Sequence, residues 1–157
     1  MTERSVQHAT FVIERTYPAQ PARVFAAWAT QQAKKAWMSD PDHPADDTPG
    51  EFDFRVGGHE RFAGQGPDGR RHRYDAQYYD IVPDERIVYA YEMYLERDRI
   101  SVSVTTVQIE PAGGGAMLTY TEQGAFLDGL DQPDARQEGT ESLLDNLGKY
   151  LARQDAN

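Results

Sequence analysis

The chain contains no cysteine, so disulfides and thiolate metal sites are excluded. No segment approaches the ~20 apolar residues that a spanning helix needs. Residues 1–10 are polar and show nothing like a secretory signal, so a soluble cytoplasmic protein is expected. Positive charge is scarce: 16 basic residues face 26 acidic ones, for a net charge of −10. Such a surface repels phosphate backbones and anionic lipids, so neither nucleic acid nor membrane is expected as a partner. Gly-x-Ser-x-Gly, P-loop and Gly-x-Gly-x-x-Gly motifs are missing, so no sequence motif points to an elbow nucleophile or a nucleotide-binding turn. There is no repeat with a period of 20–50 residues, and the length suits one domain spanning residues 1–157.

Tyrosine, by contrast, is plentiful: nine in all, seven of them between Tyr74 and Tyr120. Aromatic rings suit a pleated surface, and several on one inward face would wall a half-polar cavity. Phe11, Ile13 and Tyr17 alternate with polar neighbours, which predicts a strand over 6–17. Pro21 suits the first position of a helix carrying Val24, Phe25 and Trp28. Thr30 can cap a second short helix with the stripe Ala33, Ala36 and Trp37. Residues 39–50 hold three prolines and four aspartates, which predicts a loop, either a plain connection or a lid.

A meander follows. Phe52, Phe54 and Val56 alternate as a strand, Gly57-Gly58 signals a two-residue hairpin, and a strand continues through Arg61 and Phe62. After the Pro67-Asp68-Gly69 turn, residues 71–82 put Tyr74, Ala76 and Tyr78 on one face. The phase breaks at Ile81, which suggests a bulge. Pro83-Asp84 turns the chain, and Ile87, Tyr89, Tyr91 and Met93 share a face. Between 100 and 110 the parity is ambiguous: Val102 and Val104 oppose Val107 and Ile109. A bulge near Thr105-Thr106 or coverage of both faces would account for it. Gly113-Gly114-Gly115 closes a hairpin into a strand bearing Leu118, Tyr120 and Glu122. Residues 125–133 read as a loop, with Asp134 and Gln137 as a capping box. Leu143, Leu144, Leu147, Tyr150 and Leu151 then form the stripe of a long terminal helix. Gly139 and Gly148 inside that helix suggest close approach to the sheet.

The four histidines, His8, His43, His59 and His72, read as lone surface residues rather than as a ligand set. A hairpin centred near residue 68 places His72 opposite Gly64 and His59 opposite Gln77, roughly 17 Å apart. No metal or cofactor is expected. Glu122 is the one carboxylate that alternation places inward, either as a buried acid or base or as a strand-end residue at the rim. The direction of Asp80 is left open by the phase break.

Several segments together resemble a known family. These are Glu14-Arg15 through Pro18-Ala19, Pro21 through Trp28, Trp37, Phe52 to Gly58, Ala76 to Tyr91, and Gly115 to Glu122. In order and spacing they are similar to the heat-shock-protein-90 ATPase activator homologue family, within the START-like, or SRPBCC, helix-grip superfamily. The resemblance spans about residues 10–152. The chain departs from it at Met38, at Tyr91 and at Gly139-Thr140, where relatives carry tryptophan.

The resemblance implies an α+β helix-grip fold: a curved antiparallel sheet of six or seven strands around a long C-terminal helix, with two short helices after the first strand. It implies a cavity for a small apolar or aromatic molecule. The alternatives are a polyketide-cyclase- or hydrolase-like enzyme using the same cavity, or a chaperone-accessory or stress-response interaction module. A homodimer and a chaperone partner are compatible with it. Strand parity, helical spacing and the resemblance together place Trp37, Phe52, Phe54, Tyr78, Tyr89, Tyr91, Tyr120, Glu122, Leu143, Leu144 and Leu147 around the ligand.

Overall fold

The computed structural model describes residues 3–38, 50–65 and 69–155. The acidic loop at 39–49, His43 within it, and the Pro67-Asp68 part of the next turn lie outside the described residues. Strand β1 (Val6–Tyr17) leads into helices α1 (Pro21–Ala29) and α2 (Gln31–Met38). Strands β2 (Glu51–Phe52), β3 (His59–Gln65), β4 (Arg71–Val82), β5 (Arg86–Leu95), β6 (Asp98–Ala112) and β7 (Gly115–Leu127) follow, and α3 (Pro133–Asp155) ends the fold. The seven strands are ordered β1-β7-β6-β5-β4-β3-β2, every pair antiparallel. The first strand is thus zipped onto the free side of the last. Among the described residues no helix is long and apolar enough to cross a membrane.

Local chemistry accounts for most of these elements. Pro21 opens α1, where its missing N–H costs nothing. Thr30 Oγ1 accepts from the Ala33 N–H at 3.2 Å, capping α2. Gly113 and Gly114 both take positive φ (53° and 85°), so Ala112 pairs with Gly115 across a two-residue turn. His59 pairs with Gln77 and Gly64 with His72, the register expected from the sequence. The β4–β5 register shifts between Tyr78 and Asp80, and this bulge brings Ile81 back toward the core.

The structure departs from the sequence reading at several points. The Phe52–Val56 strand stops after Phe52. Gly57 and Gly58 pair with Tyr78 of β4 (N···O 2.8 and 3.0 Å) instead of closing a two-residue hairpin. A Cβ at Gly58 would sit 2.1 Å from the Asp53 carbonyl oxygen, so only glycine permits that crossing. Val56 is consequently exposed.

In α2 the buried positions are Ala33, Lys34 and Trp37, and Ala36 faces outward. In β6 one parity holds from Ser101 onward: Ser101, Ser103, Thr105, Val107 and Ile109 are buried, while Val102 and Val104 are exposed. The extra residue is Ile100, at the shift between the Met93–Ser101 and Tyr94–Arg99 pairs. Strand β7 runs on to Leu127 and buries Phe126. The Arg136 N–H donates to the Gln132 carbonyl, so Asp134 sits in the first turn of α3 rather than ahead of it. Its charge still suits the positive end of the helix.

Helix α3 lies on the inner face of the sheet. Leu144, Leu147 and Leu151 are buried in one cluster with Phe11, Ile13, Tyr17, Leu118 and Trp28, and Leu143 and Tyr150 pack at its edge. The Tyr17 hydroxyl donates to the Leu144 carbonyl at 2.8 Å. A Cβ at Gly148 would stand 3.2 Å from the Tyr17 ring, whereas one at Gly139 would meet nothing within 4 Å. The second half of α3 is therefore clamped to the sheet, and open space adjoins the first half.

Candidate functional site

That open space is a cavity of about 610 Å³, within the range that holds small ligands. Tyr74, Tyr89, Tyr91, Met93, Ile100 and Tyr120 form the sheet side of its lining. Ala135, Arg136, Gly139, Thr140 and Leu143 form the α3 side. Met38, Phe62, Arg70, His72, Leu95, Leu130 and Asp131 also line it. The tyrosines project toward the helix because they share the inward parity of β4, β5 and β7.

Behind this wall lies a buried polar network. Glu122 is fully buried. Its Oε2 accepts from the Tyr91 hydroxyl at 2.7 Å, the Ser103 hydroxyl at 2.9 Å and Arg136 Nη1 at 3.3 Å. Its Oε1 accepts from the Tyr120 hydroxyl at 2.9 Å. Four donors satisfy one carboxylate, as a buried charge requires. Arg136 also donates from Nη1 to the Tyr91 hydroxyl, and from Nη2 to Ser101 at 2.8 Å and Asp131 at 2.7 Å. This explains the inward serines of β6: their hydroxyls serve the network rather than an apolar core.

The electrostatics keep the wall in one protonation state. Burial, followed by the charge of Glu122, pushes the Tyr91 hydroxyl well above its ordinary range. Burial also raises Tyr120, with Tyr89, Tyr91 and Glu122 adding to the effect. These phenols stay neutral and remain donors. Burial works against the charge of Arg136, but Tyr91, Glu122 and Asp131 outweigh it and hold the guanidinium protonated.

A second buried cluster lies against α2. Lys34 Nζ stands 2.6 Å from Glu60 Oε1, and the Tyr78 hydroxyl donates to the same oxygen. The ammonium also lies 5.4 Å from the Trp28 ring and 5.6 Å from the Tyr89 ring, within cation–π reach. Tyr89 joins the two clusters, since its ring faces Lys34 and also lines the cavity.

A family profile described as Activator of Hsp90 ATPase homolog 1-like protein matches residues 18–152. The chain belongs to the Activator of Hsp90 ATPase homolog 1-like family. An uncharacterized protein from Rhizobium leguminosarum shares 49% identity, with 97% of this chain and 99% of that one covered and a TM-score of 0.91. The Mll3558 protein from Rhizobium loti shares 48% identity over 93% of this chain and 99% of that one, with a TM-score of 0.85. The CV1439 protein from Chromobacterium violaceum, at 24% identity, covers 89% of this chain and 94% of its own with a TM-score of 0.74, a likeness of fold alone. Among curated proteins none matches the chain.

In this member of the Activator of Hsp90 ATPase homolog 1-like family, four of the site residues expected from sequence line the cavity: Tyr89, Tyr91, Tyr120 and Leu143. Glu122 stands directly behind them. Of the other six, Trp37, Tyr78, Leu144 and Leu147 are buried in the core, while Phe54 packs half-buried against it and Phe52 is half-buried outside it. Trp37 lies edge-on to Trp28 at 4.8 Å and donates to the Ala27 carbonyl. Phe54 stacks on Phe52 and meets Tyr78 edge-on, 5.0 Å between centroids. Leu144 and Leu147 are buried within the core cluster.

Sequence reasoning passed over Arg136, Lys34 and Glu60. Each had a signal. Arg136 and Thr140 continue the Leu144–Leu147 stripe back toward the start of α3 at helical spacing. Lys34 lies three residues before Trp37, on the same face. Glu60 pairs with the inward Ala76 in the hairpin register. Among the described residues no three histidine, aspartate or glutamate side chains gather as metal ligands would. His8 is exposed, while His59 and His72 are half-buried and well separated in the register.

Proposed function

We propose that the protein binds a small apolar or aromatic molecule between the sheet and the first half of α3. The observation that carries this reading is the tyrosine wall. Tyr91 and Tyr120 are pinned through their hydroxyls to a buried carboxylate, so their rings present a preformed surface to a cavity of about 610 Å³. A wall ordered in advance lowers the cost of ordering on binding. The same saturation argues for binding over acid–base catalysis. Glu122 already accepts from four donors, so no lone pair is turned toward a guest. The Tyr74 ring lines the cavity as well, and among the described residues its buried hydroxyl has no hydrogen-bond partner.

Gly139→Phe tests the reading. The position opens onto free space, so the ring should project into the cavity and obstruct it, and loss of a mid-helix glycine should hold or raise stability. The neutral fluorescent probe N-phenyl-1-naphthylamine should brighten and saturate with the wild type and not with Gly139→Phe. Equal binding by both would place the probe elsewhere and refute the proposal.

A further inference from the structure

Among the described residues the Arg136 guanidinium has four hydrogen-bond partners, and they are not equivalent. Tyr91, Ser101 and Glu122 belong to sheet strands. Asp131 belongs to the connection between β7 and α3, next to the exposed Leu130, and both residues line the cavity. Side-chain exposure rises from 0% at Glu122 to 10% at Arg136 and 23% at Asp131. Among the described residues Asp131 is thus the outermost carboxylate on the guanidinium, and the only side-chain partner not carried on a strand.

We propose that Arg136 is the recognition group for a carboxylate on the cavity's ligand, and that Asp131 occupies that place in the empty protein. The inference rests on the cavity reading above and adds a class to it: apolar or aromatic carboxylic acids. The planar guanidinium fork matches a carboxylate in shape as well as charge. Exchange conserves charge, because Arg136 faces two carboxylates before and after: Glu122 with Asp131, then Glu122 with the ligand. A third carboxylate on the one Arg136 guanidinium would be repelled, so an acid takes that place only as Asp131 swings out to water. The rest of the acid would lie along the Tyr91 ring, whose centroid is 5.7 Å from the Arg136 guanidinium.

The test uses matched acid and amide pairs, 1-naphthaleneacetate with its amide, 4-biphenylacetate with its amide and decanoate with decanamide. Each competes against N-phenyl-1-naphthylamine on the full chain. In the wild type at least one acid should displace the probe at lower concentration than its amide. Asp131→Asn keeps an oxygen for the Gln132 N–H that Asp131 now serves at 2.9 Å but removes the internal rival. The acid-to-amide preference should then rise roughly fivefold, the order of one partly exposed ion pair. In Arg136→Gln the preference should vanish. If that variant fails to fold because Glu122 has lost its cation, Asp131→Asn decides alone. Acids that never outcompete their amides, or a preference unmoved by Asp131→Asn, overturn the inference and leave the cavity reading standing. If the wild type fails to bind the probe, or Gly139→Phe binds it equally, the cavity reading fails and takes this inference with it.

Discussion

Replacing Lys34 with methionine isolates the energetics of the second polar cluster. Lys34 and Glu60 are nearly sealed, with side-chain exposures of 4% and 6%, and their charged atoms lie 2.6 Å apart. Methionine matches the stem of lysine and can lie against Trp28 and Tyr89, so little packing is lost. What changes is charge: among the described residues Glu60 is left with only the Tyr78 hydroxyl as side-chain donor. Stripping one partner from a buried pair costs ~3–5 kcal/mol, most of it the penalty of an uncompensated charge. For a chain of this length that corresponds to a Tm lower by roughly 6–20 °C. The double variant Lys34→Met/Glu60→Gln keeps an acceptor for Tyr78 but buries no charge, so it should be more stable than Lys34→Met alone. Urea unfolding followed by circular dichroism would measure both. A single variant within about 1 kcal/mol of wild type, or a double variant no better than the single, would show that the pair is not sealed from water as described.

The two glycines of α3 should respond oppositely to the same change. Gly139→Ala faces open space and should stabilise by about 0.5–1 kcal/mol in urea unfolding, while Gly148→Ala presses on the buried Tyr17 ring and should forfeit that gain. Equal shifts would mean that α3 does not approach β1 as closely as the structure places it. Alkali should unfold the protein cooperatively. Burial raises the hydroxyls of Tyr17, Tyr74, Tyr78, Tyr89, Tyr91 and Tyr120, so the native state holds protons that the unfolded chain releases. Their contribution is complete below pH ~10 and declines above it by about 1.4 kcal/mol per tyrosine per pH unit. Phenolate absorbance should therefore rise together with loss of circular dichroism, and phenolate forming in a still-folded protein would contradict the burial of these rings.

The order of elements was legible in the sequence because it rests on local rules. Proline at the start of α1, threonine capping α2, paired glycines between β6 and β7 and the leucine stripe of α3 each act within a few residues. Alternation placed Tyr89, Tyr91, Tyr120 and Glu122 on the inner face, and the phase break before Ile81 located the bulge. These are statements about which face a residue takes, and periodicity decides them without knowing what lies opposite.

What lies opposite was decided only by tertiary structure. Phe126 was drawn into β7 by the length of β1, which pairs with it along its whole extent. Arg136 meets Tyr91, Ser101 and Glu122 because α3 packs against three strands whose contributing residues lie 45, 35 and 14 positions away. Lys34 is buried because Glu60 of β3 arrives beside it, and no property of α2 alone calls for a cation there. The cavity is a still less local quantity. It exists where small Gly139 and Thr140 face tyrosines held back by their own hydrogen bonds, and it ends where Leu144, Leu147 and the tryptophans fill the same gap. Sequence determines the inward set of side chains. Whether their volumes close the space or leave it open depends on the separation of sheet and helix, and that separation is set by all of the packing at once.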